Sequence, residues 1–372
     1  MKNNLEITKP VLILDEGKCK SNIQWMAEKA RASNTKFRPH FKTHQSLQIG
    51  RWFKDQGVDK IAVSSLEMAT YFAEEWDDIT VAFPVNILEM DTINELARKI
   101  TLHLLIETEA TAAFLRQNLQ NSVGCFLKID VGTGRTGINP TMTSQVEKIL
   151  SVIENAGHLH GSGFLAHAGH TYQAKSTNEI GEICKLSKEI LTGLKSVFSE
   201  QYPGLLNSLG DTPGCSIVDD FNGIDEIRPG NFVFYDLMQY QLGACQVSRI
   251  AVAMACPVVA IHEERNEMVI YGGAVHFSKE FITTESEGII YGRVVERKDG
   301  GWGNVIPGLV LSGLSQEHGI ITGPAGEIGK YKAGDVIIVL PVHSCLTASL
   351  SRNYITTGGK ILSKFSQQNG WK

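Results

Sequence analysis

Short apolar runs recur along the first two thirds of the chain, and each is long enough to form one buried strand. Runs of this length, bounded by polar or glycine-containing segments, are typical of the strands of a parallel sheet. From residue 37 onwards they are FRPHFKT (37–43), KIAVSS (60–65), DITVAFP (78–84), LHLLIE (102–107), GCFLKIDVG (124–132), GSGFLAHAG (161–169), LLNSLGDT (205–212) and EIRPGNFVF (226–234). The pattern predicts eight strands.

Stretches with a helical period separate these runs. Apolar residues follow the i, i+3, i+4, i+7 spacing at Ile23, Met26, Ala27 and Ala30 and again at Val146, Ile149, Leu150 and Ile153. Strands that alternate with helices form right-handed βαβ units and a parallel sheet. Eight strands within about 200 residues predict a (β/α)8 barrel, with an open doubly wound sheet as the structural alternative. No GxGxxG segment opens a helix, which disfavours a dinucleotide-binding sheet.

The pattern changes after about residue 245, where long helical periods disappear. The segments 249–273, 288–296 and 325–350 are rich in β-forming residues and are broken by glycines and charged turns. The N-terminal run PVLILD (10–15) precedes the barrel and can pair with these strands. We therefore predict an α/β protein with a barrel over residues 13–245. A mostly β C-terminal domain over residues 246–372 follows, joined by residues 1–12.

Composition excludes several functional classes. The chain has 372 residues, is 42% hydrophobic and carries a net charge of −5, so it has no basic surface typical of nucleic-acid binding. No segment approaches the roughly 20 apolar residues that span a bilayer. The N-terminus MKNNLEITKP lacks the apolar core of a signal peptide, and the seven cysteines form no CxxC pair. We expect a cytoplasmic protein with reduced thiols.

Polar residues at the C-terminal ends of the predicted strands are the first candidates for chemistry, because (β/α) barrels bind their ligands at that end. Lys42 ends the first strand. DVGTGRTG (130–137) contains Arg135 and HAGHTY (167–172) contains Tyr172, and both segments follow strands in the middle of the barrel. GDTPGCS (210–216) and RPGN (228–231) follow the last two strands. These loops are predicted to meet at one mouth.

The glycines of the last two loops have a possible function at this mouth. Gly210, Gly214 and Gly230 permit positive φ angles and a close approach of the backbone to a ligand. Exposed N–H groups at such turns can bind an anion, and barrels often hold phosphate near their last strands. A lysine together with a phosphate site indicates pyridoxal phosphate. The alternative is that these glycines serve only the turns.

A second candidate site lies in PVHSCLT (341–347). His343 and Cys345 are two residues apart, so on a strand both side chains would point to one face and Ser344 to the other. Imidazole and thiolate together are typical zinc ligands. Two protein ligands would leave coordination positions open for a substrate. The alternative is a buried cysteine beside a hydrogen-bonded histidine.

Taken in order, these motifs resemble those of a known family. RPHFKTH, DVGTGRTG, HAGHTY, GDTPGCS, EIRPGN and PVHSCLT resemble motifs of the D-serine dehydratase and D-threonine aldolase family. Its members are pyridoxal-phosphate enzymes with an alanine-racemase-type barrel followed by a β domain. The resemblance covers nearly the whole chain. GDTPGCS has Gly214 where a threonine is common in the family, so contacts to the substrate at that position are open.

The resemblance also implies roles for individual residues. Lys42 is implied to bind pyridoxal phosphate covalently and to act as the catalytic base. The other implied cofactor contacts are Arg135 near the pyridine nitrogen, backbone N–H groups of Gly230 and Asn231 at the phosphate, the hydroxyl of Thr212 as a further phosphate contact, and Tyr172 beside the phosphate or the substrate. His343 and Cys345 are implied to bind the metal. No role follows for His40, His44, His167 or His170.

The implied function is that of a lyase acting on D-3-hydroxy amino acids. It would depend on pyridoxal phosphate and a divalent metal, where thiolate ligation favours Zn²⁺ over Mn²⁺. Elimination to a 2-oxo acid and ammonia is expected from the cysteine at position 345, because aldolases of the family often have aspartate there. Cleavage to glycine and an aldehyde is the alternative. A racemase and a non-catalytic carrier of pyridoxal phosphate also remain open, and the resemblance implies a homodimer.

Overall fold

The computed structural model of the chain describes residues 6–365. Residues 1–5 and 366–372, which were predicted to belong to the β domain, lie outside the described residues.

The strands up to the last barrel strand are β1 (Val11–Leu14), β2 (Lys36–Phe37), β3 (Ile61–Val63), β4 (Asp78–Pro84), β5 (Thr101–Ile106), β6 (Val123–Lys128), β7 (Leu159–Ala166), β8 (Leu206–Leu209) and β9 (Glu226–Ile227). Those that follow are β10 (Val252–His262), β11 (Glu267–Tyr271), β12 (Ile282–Thr284), β13 (Gly288–Ile290), β14 (Gly292–Lys298), β15 (Gly301–Leu314), β16 (His318–Thr322), β17 (Val336–Pro341), β18 (Asn353–Thr356) and β19 (Ile361–Ser363).

The α-helices are α1 (Glu16–Ala32), α2 (Leu47–Lys54), α3 (Leu66–Phe72), α4 (Met90–Ala97), α5 (Glu109–Asn118), α6 (Thr143–Glu154), α7 (Thr177–Phe198), α8 (Thr212–Ile217), α9 (Leu237–Gln241), α10 (Ala274–Phe277), α11 (Ala325–Ile328) and α12 (Ser344–Leu350).

The eight predicted barrel strands are all present and form a closed parallel sheet. Their order is β2-β9-β8-β7-β6-β5-β4-β3. The segment after β2 joins β3 through two backbone hydrogen bonds, from Phe41 N–H to Ala62 O (2.8 Å) and from Ala62 N–H to Pro39 O (2.9 Å). Because these bonds connect the two outer strands of the order, the sheet has no free edge there. The predicted (β/α)8 barrel is confirmed, and the open doubly wound sheet is excluded.

The helices pack against the outside of the barrel with the faces that the sequence predicts. In α1 the buried positions include Ile23, Met26, Ala27 and Ala30, and in α6 they are Val146, Ile149, Leu150 and Ile153. Asp15 precedes the first residue of α1, and its side chain accepts a hydrogen bond from Lys18 N–H (3.0 Å). An N-cap of this kind satisfies one of the free N–H groups of the first turn.

The interior of the barrel combines a small apolar layer with polar residues. Leu105, Phe126 and Leu165 form an apolar cluster that is separate from the main core, and Ala82 packs against it. On β6 the side chain of Lys128 follows Phe126 on the same face, because side chains alternate along a strand. Lys128 is nearly completely buried. The layer nearest the C-terminal ends of the strands is therefore polar.

The predicted β domain is also present. Nine strands form one sheet in the order β11-β16-β15-β14-β17-β10-β1-β18-β19, and β12 and β13 form a separate hairpin. Strand β1 pairs antiparallel with β10 and parallel with β18. The proposed boundary between residues 12 and 13 falls inside β1, so we assign the whole strand to the β domain. Within residues 6–365, no helix is both long and apolar enough to cross a bilayer.

Candidate active site

Lys42 lies in the turn that leads from the first barrel strand to α2. Its side chain is exposed at the barrel mouth. Its backbone N–H donates to Nδ1 of His40 (3.3 Å), and its carbonyl accepts a hydrogen bond from Gln45 Nε2 (2.9 Å). The first barrel strand ends at Phe37, so Lys42 does not end it as predicted; the turn after the strand holds Lys42 at the C-terminal end of the barrel instead.

Two histidines lie close enough to Lys42 for its positive charge to lower their pKa. Burial, followed by the positive charges of Lys42 and Arg228, lowers the pKa of His40 well below the usual value. Burial also lowers the pKa of His167 to about 3, with Lys42 and Arg228 acting in the same direction. Both imidazoles are therefore neutral at neutral pH. His167 Nδ1 donates to the carbonyl of Gly210 (2.6 Å), which leaves its Nε2 as an acceptor.

The loop after β9 has the properties of an anion cradle. A Cβ atom at Gly230 would lie 2.9 Å from the carbonyl oxygen of His40, so the chain can approach this closely only with glycine. The backbone N–H groups of Gly230 and Asn231 donate to no group within residues 6–365. Thr212 Oγ1 accepts a hydrogen bond from Phe232 N–H (3.3 Å), which brings the start of α8 beside this loop.

Tyr172 is connected to the same cradle. Burial raises the pKa of Tyr172 well above its usual value, while a hydrogen bond with Thr212 opposes the shift. Its phenol therefore stays protonated and can donate a hydrogen bond. Tyr172, Thr212, Gly230 and Asn231 were all predicted to contact the cofactor, and the structure brings them together.

Arg135 lies in the loop after β6 and is exposed. Asp130 shapes this loop because its carboxylate accepts hydrogen bonds from Gly132 N–H (3.0 Å) and Gly134 N–H (3.1 Å). The positive charge of Arg135 contributes to lowering the pKa of His167. Arg135 is therefore close enough to His167 for its charge to act there, and it makes no hydrogen bond within the described part of the chain.

Of the two properties for which glycine was considered at the later turns, positive φ and close approach, the structure uses only close approach. Gly132 and Gly134 have positive φ, whereas Gly210, Gly214 and Gly230 do not. Close approach explains the latter three instead. A Cβ at Gly210 would lie 2.7 Å from backbone atoms of Arg228, and a Cβ at Gly214 would lie 2.4 Å from Cys184 Sγ.

His343 and Cys345 do not lie on a strand, which corrects the sequence-based geometry. Strand β17 ends at Pro341, and α12 begins at Ser344. The helix forms because Asp236 accepts from Ser344 N–H (2.9 Å) and Ser344 Oγ (3.2 Å). Ser344 is therefore buried against the barrel rather than pointing away from the site.

The two predicted metal ligands nevertheless remain close to each other and to the cofactor loops. Cys345 Sγ lies 3.1 Å from Thr43 Oγ1 and 3.4 Å from Asn231 Nδ2. His343 Nδ1 lies 3.5 Å from the carboxylate of Asp236 and is otherwise buried without a partner among the described residues. Burial opposes the charged form of His343, but Asp236 and Cys345 outweigh it and raise the pKa of His343 to about 9.

The donor set fits a metal that also needs other ligands. Imidazole and thiolate are suited to Zn²⁺. Among residues 6–365 no group of three or more His, Cys, Asp or Glu side chains is arranged to hold a metal. The pair therefore supplies two protein ligands at most and would leave positions open.

Asp236 connects the predicted cofactor and metal sites and was not found from the sequence. It is fully buried and accepts hydrogen bonds from Asn231 Nδ2 (2.6 Å), from Gln239 N–H (2.9 Å) and from Ser344. It thereby holds the last barrel loop against the start of α12. A single carboxylate in a loop without a motif gives no signal in the sequence.

Arg228 is the second residue that sequence reasoning missed. It is 4% exposed and donates through Nε to Ser208 Oγ (2.6 Å) and through Nη2 to the carbonyls of Ser208 (3.1 Å) and Ala166. Its charge lowers the pKa of both His40 and His167. The signal was its position in RPGN at the end of the last strand.

The remaining histidines have different environments. His44 lies in the core, where its ring packs against Phe41 and Phe53 and its Nδ1 accepts from Ser46 N–H (3.1 Å). His170 Nδ1 lies 3.2 Å from Thr133 Oγ1 beside the loop that holds Arg135. Of these four histidines, His40 and His167 are the two whose pKa the charge of Lys42 lowers.

Comparisons with known proteins agree with this architecture. Residues 14–237 match the family described as "Alanine racemase, N-terminal domain", and residues 251–357 match "Putative serine dehydratase domain". The chain is 29% identical to D-serine dehydratase of Dictyostelium discoideum, covering 99% of this chain and 98% of that protein. It is 24% identical to D-threo-3-hydroxyaspartate dehydratase of Delftia sp. strain HT23, covering 99% of both.

Solved structures show the same fold. The structure of the Delftia sp. HT23 dehydratase superposes with a TM-score of 0.87 at 24% identity, over 97% of this chain and 98% of that one. D-threonine aldolase from Filomicrobium marinum gives 0.78 at 16% identity, over 95% and 96%. The barrel, the β domain and their order along the chain are shared throughout. The chain therefore belongs to the family described as "Alanine racemase, N-terminal domain", with a putative serine dehydratase domain following the barrel.

Proposed function

We propose that the protein is a lyase that eliminates water from D-3-hydroxy amino acids, using pyridoxal phosphate and a divalent metal. The observation that carries this proposal is the convergence of three groups at one mouth: the amine of Lys42, the anion cradle at Gly230, and the pair His343 and Cys345. The relatives named as dehydratases cover the chain from end to end, which supports elimination as the reaction.

The cofactor contacts proposed are those that the residues can make. Gly230 and Asn231 offer free N–H groups to a phosphate, Thr212 and Tyr172 offer hydroxyls, and Lys42 offers the amine for covalent attachment. When bound, pyridoxal phosphate withdraws electrons from the substrate Cα and so makes its proton acidic. Arg135 keeps a permanent positive charge, which disfavours protonation of a pyridine nitrogen beside it.

Lys42 is proposed as the general base. With pyridoxal phosphate bound, the Lys42 amine would hold it and, when free, would take the proton from the substrate Cα. His40 and His167 are neutral and so do not neutralise a negative charge, while Arg228 and Arg135 supply the positive charge of the mouth. The hydroxyl at Cβ leaves with a proton as water, and the resulting enamine hydrolyses to a 2-oxo acid and ammonia.

His343 and Cys345 are proposed to hold the metal, with Zn²⁺ favoured over Mn²⁺ by the thiolate. A bound divalent metal acts as a Lewis acid and makes a hydroxyl a better leaving group. Two solved structures of D-threo-3-hydroxyaspartate dehydratase are alanine variants of a histidine and of a cysteine two positions apart, and the cysteine variant is described as metal-free. That spacing equals the spacing of His343 and Cys345.

Product analysis and one variant test the proposal. Purified protein is incubated with D-serine, D-threonine and D-threo-3-hydroxyaspartate, and 2-oxo acid, ammonia, glycine and aldehyde are measured. We expect 2-oxo acid and ammonia, and complete loss of turnover and of the borohydride-trapped cofactor adduct in Lys42→Ala. Lys36→Ala, at an exposed lysine of β2, is the matched control. Glycine plus aldehyde would instead establish the aldolase reaction, and full activity of Lys42→Ala would refute the site.

Treatment with a chelator distinguishes the role of the metal from that of the cofactor. We expect that chelation abolishes turnover, that added Zn²⁺ restores it, and that the absorbance of bound cofactor stays unchanged. Unchanged turnover by metal-depleted protein would contradict the metal role, whereas formation of the L enantiomer with no 2-oxo acid, unaffected by chelation, would favour a racemase, which has no use for the pair. The homodimer and the cytoplasmic location stay predictions, and sedimentation of the purified protein tests the first.

A further inference from the structure

A chain of buried polar side chains runs through the barrel interior and ends at Arg228. Asp78 on β4 accepts from Arg38 Nη1 (2.6 Å), and Arg38 Nε donates to Glu226 Oε2 (2.9 Å). Ser208 Oγ then donates to Glu226 Oε1 (2.6 Å) and accepts from Arg228 Nε (2.6 Å). The chain thus joins the start of β4 to the mouth.

From Arg38 to Arg228 each side chain is buried, and each hydrogen bond has a defined direction. Arg38, Glu226, Ser208 and Arg228 are all 4% exposed or less. Burial acts to raise the pKa of Glu226, but Arg38 and the Ser208 hydroxyl outweigh it and lower the pKa below its usual value. Glu226 is therefore a carboxylate and can only accept. Since Ser208 must donate its single proton to Glu226, its oxygen is free to accept from Arg228.

This arrangement fixes one side of the Arg228 guanidinium. Nε and Nη2 bond to the barrel wall at Ser208 and Ala166. Nη1 bonds to no group within residues 6–365. A guanidinium is a planar fork, so fixing two of its nitrogens also fixes the direction of the third.

We propose that Glu226, acting through Ser208, is a positioning residue that holds Arg228 with Nη1 directed into the barrel mouth. The carboxylate does not contact the mouth itself, because the Ser208 hydroxyl lies between it and Arg228. Its function is to fix where the positive charge of Arg228 acts on the group formed by Lys42, His40 and His167. The effect on a bound cofactor rests on the proposed function, whereas the effect on Arg228 itself does not.

Ser208→Ala tests this positioning because it removes only the bridging hydroxyl and leaves the Arg38–Glu226 pair intact. Thr80→Ala is the matched control, since Thr80 is a fully buried barrel threonine whose Oγ1 has no partner among the described residues. Glu226→Gln is the second variant, because it keeps the shape and removes the charge. Side-chain NMR of the cofactor-free proteins follows hydrogen exchange at Arg228 Nε–H, assigned with Arg228→Lys.

We expect Arg228 Nε–H to exchange at least tenfold faster in Ser208→Ala than in wild type and in Thr80→Ala. We also expect about tenfold weaker binding of pyridoxal phosphate and a shifted pH midpoint of its bound absorbance, because one buried hydrogen bond to a charged group is lost. Glu226→Gln is expected to shift the same midpoint in the same direction.

Equal exchange rates and equal midpoints in Ser208→Ala and Thr80→Ala would overturn the positioning role. Faster exchange in Ser208→Ala would support the positioning role whether or not wild type binds pyridoxal phosphate. A wild-type protein that binds no pyridoxal phosphate would refute the proposed function alone. Should Ser208→Ala fail to fold, an unchanged midpoint in Glu226→Gln would still overturn the proposal.

Discussion

Replacing Asp236 by asparagine is predicted to weaken both the fold and the metal site. The carboxylate accepts four hydrogen bonds, three of them at Oδ2 and one at Oδ1 from Gln239 N–H. An asparagine side chain must place an NH₂ group at one of these positions, where it would face a donor. At least one bond is then lost and the others lose their charge assistance.

The size of the effect follows from the energies of such bonds. A hydrogen bond to a charged group contributes about 1.5–3 kcal/mol, and an unsatisfied buried donor costs about 1–3 kcal/mol. We therefore expect Asp236→Asn to lower the free energy of unfolding by about 3 kcal/mol, a large part of the roughly 5–15 kcal/mol typical of proteins. Zinc affinity should fall about 10- to 100-fold, because a carboxylate beside a metal-binding histidine orients it.

Urea unfolding of cofactor-free and metal-free protein, followed by tryptophan fluorescence, measures the first effect, and competition with a chromophoric chelator measures the second. Asp219→Asn is the matched control. Asp219 is a 92% exposed carboxylate that pairs with Lys29, and loss of such a surface pair changes stability by less than about 1 kcal/mol. If Asp236→Asn unfolds at the same urea concentration as Asp219→Asn and binds Zn²⁺ equally well, the bridging role of Asp236 is wrong.

Two further predictions concern the cofactor cradle and the pH dependence of stability. Gly230→Ala should weaken binding of pyridoxal phosphate at least about tenfold, because the new Cβ would lie 2.9 Å from His40 O. Titration of cofactor-free protein measures the affinity, and Gly204→Ala is the control because its Cβ would lie in open space. Equal affinities of the two variants would contradict the cradle. Burial lowers the pKa of Lys364 to about 8 from 10.5, so between these values the unfolded chain binds more protons than the folded one and stability rises with pH. Free energies of unfolding from urea curves at about pH 8 and about pH 10.5 should rise in wild type, and this rise should be smaller in Lys364→Met by roughly 1–3 kcal/mol. Equal rises in both proteins would refute the buried-amine assignment.

The overall architecture could be predicted because it depends on patterns that are local in the sequence. Eight apolar runs became eight barrel strands, and the apolar positions of α1 and α6 became their buried faces. These outcomes follow from the periods of strand and helix, which any short segment displays. Ordered motifs likewise sufficed to identify the family.

The site was predicted only in part. Lys42 and the loop of Gly230 were placed at the barrel mouth because strand ends and glycine turns mark them, and Asn231 was included through the family resemblance; their roles stay proposals. The strand geometry for His343 and Cys345 was wrong, because the start of α12 depends on Asp236, which lies more than a hundred residues away in the chain. Local propensity contains no information about such a distant hydrogen-bond acceptor.

The sequence by itself determined which segments become strands and helices, the order of the two domains and the loops that carry the chemistry, because each depends on the spacing of residues within one segment. Only the tertiary structure decided that Asp236 joins the loop of Asn231 to the start of α12, that Glu226, Ser208 and Arg228 are hydrogen-bonded in series, and that His44 belongs to the core. These contacts join residues far apart in the chain, and their energies arise only when folding removes water and brings the partners to hydrogen-bond distance.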